Sequence, residues 1–128
     1  MACPFCTIAN EDCSDRIIRS SNLAIAIEDG FPVSKGHTLI IPRRHIASFF
    51  DTTDAERNAL MELLNRAKIL LDTKYKPDGY NVGINDGPVA GQTINHMHIH
   101  LIPRYTGDMT DPRGGVRWIM PDKADYWS

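Results

Sequence analysis

A chain of 128 residues fits one domain around one hydrophobic core. With 42% apolar and 23% charged residues and a formal net charge of −2, it has no electrostatic footprint for coating a nucleic-acid polymer. No apolar run approaches the ~20 residues that span a bilayer. The opening MACPFCTIANEDCSDR has no basic segment leading into an apolar stretch, so a cytoplasmic protein without membrane contact is expected.

The amino terminus carries Cys3-x-x-Cys6. Two thiolates from one tight turn suit tetrahedral zinc, yet usual finger spacing would place two further ligands nearby and none is there. Cys13 is a poor match for a second pair, so the remaining ligands would be distant histidines, such as His45 or one of the three near residue 98. Two alternatives stand beside zinc: incidental thiols, and a redox pair that lacks a surrounding βαβ pattern. Three cysteines in a reducing compartment do not predict a disulfide framework.

Leu23, Ile25 and Ile27 alternate and predict a strand over Leu23–Glu28. A stretch of turn formers, 29–36, separates it from a second strand, His37–Ile41, stopped by Pro42. Thr53 with Glu56 resembles a capping box. Leu60, Leu63, Leu64, Ala67, Leu70 and Leu71 then recur at helical spacing, which predicts an amphipathic helix from about Asp54 to about Tyr75. Tyr80, Val82 and Ile84 mark a third strand, 85–91 a loop, and Asn95–Pro103 a fourth strand, with a mostly irregular tail from Arg104. Paired strands around one helix, without βαβ alternation, predict an α+β domain with a mainly antiparallel sheet.

Three of the five histidines fall in that fourth strand as His96-Met-His98-Ile-His100. Period-two geometry puts the three imidazoles on one face and Met97, Ile99 and Leu101 on the other. A single histidine on a strand is usually structural, whereas three in alternation point to chemistry. They could bind a catalytic metal. Alternatively, one could act as nucleophile or base while its neighbours assist. The loop before them, Asn85-Asp-Gly-Pro-Val-Ala-Gly-Gln92-Thr93, offers backbone N–H groups, an amide and a hydroxyl that suit phosphate oxygens. No lysine follows it, so it is not a nucleotide-triphosphate loop.

His96-Met-His-Ile-His-Leu-Ile102 resembles the signature of the histidine-triad (HIT) superfamily. Gly36-His-Thr-Leu-Ile-Ile-Pro-Arg-Arg-His45 resembles its first block, and Asp86-Gly-Pro-Val-Ala-Gly-Gln-Thr93 its loop before the triad. The resemblance implies a single HIT domain over 1–128, α+β, with a mainly antiparallel five-stranded sheet, one long helix and a short one. It implies cleavage at the α-phosphorus through a covalent nucleotidyl-histidine, with His98 the nucleophile. His100 and His37 would line the phosphate site, and Gln92 and Thr93 would touch phosphate or leaving-group oxygens. Asn85 matches a polar loop position, Asp29 the ribose-binding position, and Leu23, Ile27 and Phe5 the walls for the base. One subset of the superfamily carries a structural zinc, whose ligands would here be Cys3, Cys6, His45 and His96. The implied substrate is a nucleotide, with adenine the expected base, and the implied assembly a homodimer. The loop and the Leu-Ile-Pro-Arg104 exit resemble the dinucleoside-polyphosphate hydrolase (Fhit-like) branch. Asp29, Asn85 and the Cys-x-x-Cys lean towards the nucleoside phosphoramidase (Hint-like) branch. A nucleotide-binding scaffold with slow turnover is the alternative from another class.

Overall fold

Thr53 closes a capping box with Glu56: its side chain accepts the Glu56 N–H, and Glu56 accepts the Thr53 N–H at 2.9 Å. Those bonds satisfy N–H groups that an isolated helix start leaves orphaned, and the chain runs helical over Asp54–Tyr75 (α2). Lys76, left-handed at φ 52°, ends it. In this computed structural model, which describes residues 3–12 and 14–128, α2 lies against one face of a five-stranded sheet. Cys13 lies outside the described residues. No helix among them is long and apolar enough to cross a membrane.

The strands are β1 (Ile17–Ser20), β2 (Ala24–Glu28), β3 (Thr38–Pro42), β4 (Gly79–Ile84) and β5 (Ile99–Arg104), in the order β1-β2-β3-β5-β4. Every described pairing is antiparallel, as the α+β expectation required. Leu60, Leu63, Ala67 and Leu71 of α2 bury against Ala24, Ala26, Ile40, Ile99 and Leu101. The alanines let the helix approach closely. Burial of each leucine side chain contributes about 2 kcal/mol, and truncating Leu63 would cost about 3 kcal/mol.

The opposite face is covered by a helix that the residues alone did not reveal, α1 (Pro4–Glu11). Pro4 occupies its first turn, where a missing N–H costs nothing. Phe5, Ile8 and Ala9 then pack on Ile25, Ile27, Leu39 and Ile41. Arg43 fixes this helix by donating to the Ala9 carbonyl at 2.9 Å and the Ser21 carbonyl at 2.8 Å.

Beyond one-residue shifts, such as β3 taking in Pro42 and leaving out His37, three features differ from the expectations. β1 is an added edge strand. Strand β5 starts at Ile99 rather than Asn95, because the β3 ladder stops at Ile40↔Ile99 and the Met97 N–H bonds the Ile46 carbonyl instead. The tail holds a 3₁₀ turn at Gly115–Ile119 and a short helix, α3 (Pro121–Ala124).

Candidate functional site

Alternation survives the early end of β5. Met97, Ile99 and Leu101 are buried beneath α2, while His98 meets the edge of Phe5 on the α1 side at 5.2 Å between ring centroids. The two neighbouring histidines of the triad nevertheless face different partners.

His96 is fully buried, and its Nε2–H donates to the Pro42 carbonyl at 2.8 Å. A carbonyl only accepts, so the ring proton sits on Nε2 and the Nδ1 lone pair is free. That Nδ1 lies 3.5 Å from both Cys3 Sγ and Cys6 Sγ, and His45 Nδ1 lies 3.2 Å from Cys6 Sγ. The four donor atoms fall within 4.8 Å of one another. Burial depresses the His96 pKa and so keeps Nδ1 unprotonated; burial and the neighbouring thiol raise that of Cys6. Two thiols and two imidazoles, with one ring oriented by a carbonyl, match the donor set and the supporting hydrogen bond of a structural metal site. These four residues can hold a metal ion.

His98 reverses the pattern. Its Nδ1–H donates to the His96 carbonyl at 2.9 Å, which leaves the Nε2 lone pair free. The next ring, His100, stands 5.2 Å from His98 and 5.2 Å from His37 between centroids.

Asp29, His37 and His100 form a second cluster with ligand atoms in metal-binding range. Here the backbone argues against a metal. The Val33 N–H donates to His37 Nδ1 at 3.1 Å, so neutral His37 carries its proton on Nε2. A cation would need that same nitrogen's lone pair. The Nε2–H instead meets His100 Nδ1 at 2.9 Å, with Asp29 Oδ2 at 3.3 Å. His100 therefore keeps its proton on Nε2. Burial, reinforced by His98 and His37, pushes the His100 pKa down to about 4; burial also lowers that of His37, against the pull of Asp29.

The loop ahead of the triad is braced from within. Gln92 Oε1 accepts the Gly87 N–H at 2.8 Å, and its amide donates to the Ala47 and Ile94 carbonyls at 2.9 and 3.0 Å. Both donors are thus engaged, and Gln92 braces the loop from within. Asp86 ties the loop to the 3₁₀ turn at Phe49–Asp51 through Ser48 and the Phe49 N–H. Thr93 is exposed, and Asn85 is half-buried beside Gly91.

Of the three expected base walls, Phe5 and Ile27 share the α1-side core, where Ile27 is wholly covered. Leu23 is a correction. The Ser21–Ala24 turn swings it to the far face, where it lines a shallow pocket with Ala59 and Leu63 of α2. Positions missed from sequence are Val33, Pro42 and Arg43. The first two act through backbone atoms, which leave no residue-type signal.

Against this geometry, the profile described as the HIT domain matches residues 10–107. The chain belongs to the HIT domain family. An uncharacterized HIT-like protein of Mycoplasma genitalium is 38% identical over 104 residues, covering 81% of this chain and 74% of the relative. A bis(5'-adenosyl)-triphosphatase of Saccharomyces cerevisiae is 32% identical over 89% of this chain, which spans 53% of that enzyme. Among solved structures, a Zn-bound histidine triad family protein from Mycobacterium smegmatis superposes with a TM-score of 0.77 at 33% identity, over 87% of this chain and 81% of the other. Residues beyond 107, including α3, fall outside the family match.

Proposed function

We propose that this chain, as one HIT domain, is a nucleotide hydrolase that attacks the α-phosphorus of a dinucleoside polyphosphate, adenine being the favoured base. The observation that carries the reading is the His98 ring: Nδ1–H held by the His96 carbonyl at 2.9 Å, Nε2 bare, and the His37–His100 pair beside it. In the first step Nε2 forms a P–N bond as the bond from phosphorus to the leaving oxygen breaks, and that oxygen takes the electron pair. The His96 carbonyl stabilises the ring's developing positive charge. The His100 Nε2–H, fixed by the His37 relay, is available to a phosphate oxygen. Water then displaces His98 from phosphorus, giving a nucleoside monophosphate and restoring the imidazole. The relationship to a bis(5'-adenosyl)-triphosphatase supports the substrate class.

Cys3, Cys6, His45 and His96 would hold a zinc ion, a reading supported by their donor set and by the Zn-bound relative. Four protein ligands make a closed site, so the ion would supply structure rather than Lewis acidity. Its function would be to tie the start of α1 to the residue whose carbonyl orients His98. A homodimer is supported by the free edge of β4, with Val82 exposed, and by Met61 and Ile69 exposed on α2.

The test is intact-mass spectrometry after brief mixing with diadenosine triphosphate and, separately, with adenosine phosphoramidate. One adenylate adduct, absent in His98→Ala while nucleotide binding persists, is the expected result. Wild-type hydrolysis by His98→Ala would sink the mechanism, and faster turnover of the phosphoramidate would move the chain to the phosphoramidase branch.

A further inference from the structure

The tail leaves an open cavity of about 900 Å³ against the same sheet face as His98 and His100. Its floor is Ile102, the next residue of β5 on that face after His100 and about 7 Å further along the strand. Asn81, paired with Ile102, and Lys35, two residues before His37, also line it. The walls are Met109, Val116, Trp118 and Trp127. Both tryptophans of the chain therefore line this one chamber.

The walls are held in place. Trp118 donates its indole N–H to the Arg113 carbonyl at 2.7 Å, and the Arg113 guanidinium covers the outer Trp127 ring at 4.9 Å. Gly114, at φ 96°, brings the backbone so close that a Cβ would stand 3.1 Å from both indoles. The Tyr105 hydroxyl donates to the Lys35 carbonyl at 2.7 Å, joining tail to loop.

We propose that this chamber receives the second nucleobase of the substrate, the one on the leaving half. The inference rests on the phosphoanhydride reading above and extends it to the leaving group. Volume is the first support: about 900 Å³ accommodates a nucleoside. Charge is the second. The chamber's carboxylates are already engaged, Asp108 with Arg104 at 2.7 Å, Asp111 with Arg113 at 2.8 Å, and Asp125 with Ser128 at 2.7 Å. Two of its three carboxylates are thus already matched by guanidinium groups, which weakens its pull on a cationic amine. An uncharged planar ring finds indole surface on which to stack. Lys35, which lines the chamber two residues before His37, forms no ion pair among the described residues and so leaves a cation open to the substrate's phosphates.

Because both tryptophans line the chamber, intrinsic tryptophan fluorescence reports on its occupancy without any turnover. The full chain is titrated with an uncleavable methylene-bridged diadenosine triphosphate and, separately, with AMP. The dinucleotide is expected to quench the emission saturably while AMP leaves it unchanged. Trp118→Leu is expected to weaken dinucleotide binding about tenfold, the value of one stacked base, and Trp118→Phe to restore most of it. Equal quenching by AMP, no quenching by the dinucleotide, or wild-type dinucleotide affinity in Trp118→Leu would each overturn the proposal. Quenching by the analogue in a chain that fails to hydrolyse diadenosine triphosphate itself would instead strike the catalytic reading and leave the chamber standing.

Discussion

Glu56→Gln tests the join between α2 and the segment that carries His45. The Glu56 side chain is 6% exposed and receives a bidentate grip from Arg44, Nε to Oε2 at 3.0 Å and Nη2 to Oε1 at 2.8 Å. Those bonds, helped by the Thr53 N–H, hold its pKa at about 2 rather than 4.5. A displacement of that size corresponds to about 3 kcal/mol. Arg44 is 52% exposed, so solvent screening reduces the expected contribution to about 2 kcal/mol. The sign follows from the direction. A carboxyl whose folded pKa is depressed stabilises fully above its unfolded value, and the benefit disappears as pH falls from about 4.5 to about 2. Glutamine keeps the shape and an acceptor for Thr53 but carries no charge at any pH. Urea unfolding at pH 7 should therefore show a deficit of about 2 kcal/mol for Glu56→Gln that closes on acidification to about pH 2. A deficit below about 0.5 kcal/mol at pH 7, or one that persists at the acidic end, would refute the reasoning.

Gly36 sits at φ +90°, and an added Cβ would lie 2.9 Å from the Tyr75 ring and 3.2 Å from Pro103; Gly36→Ala should cost about 2–3 kcal/mol in urea unfolding. Cys6→Ser removes one thiol of the Cys3–Cys6–His45–His96 group; elemental analysis should then find less than about half an equivalent of zinc, with a lower Tm than wild type. Burial beside two other imidazoles holds His100 neutral, so its ring should titrate near pH 4 by nitrogen NMR, and a midpoint near 6.5 would refute the relay. The unfolded chain takes that proton first as pH falls, so this group withdraws stability between about pH 6.5 and 4 and nothing further below.

The long helix was legible because its signals agree: a cap at Thr53, leucines at helical spacing and a glycine-containing exit. β1 was not. Ile17-Ile-Arg-Ser is four residues long at a sheet edge, with no alternation to read. α1 carries a start signal in Pro4, yet eight residues are too few to show a period, and its burial of Phe5, Ile8 and Ala9 is tertiary. Residue types at the site were legible through the HIT motif. Partner choice was not, as Gln92 shows: an amide fit for phosphate spends both its donors on the Ala47 and Ile94 carbonyls.

The division of labour among the histidines follows from which ring nitrogen the backbone occupies. A β5 strand continuous from Asn95 would set the peptide groups of 95–98 against β3, competing with any ring for their carbonyls. The ladder ends at Ile40↔Ile99 instead, and two carbonyls there turn to imidazoles, Pro42 to His96 Nε2 and His96 to His98 Nδ1. The same donation to a carbonyl, made from opposite ring nitrogens, frees Nδ1 in one ring for the thiols and Nε2 in the next for an electrophile. At His37 the polarity inverts: the backbone offers a donor, Val33 N–H, and the ring becomes a proton carrier feeding His100 rather than a ligand. Alternation places the triad on one face. The early end of the strand gives its members different chemistry.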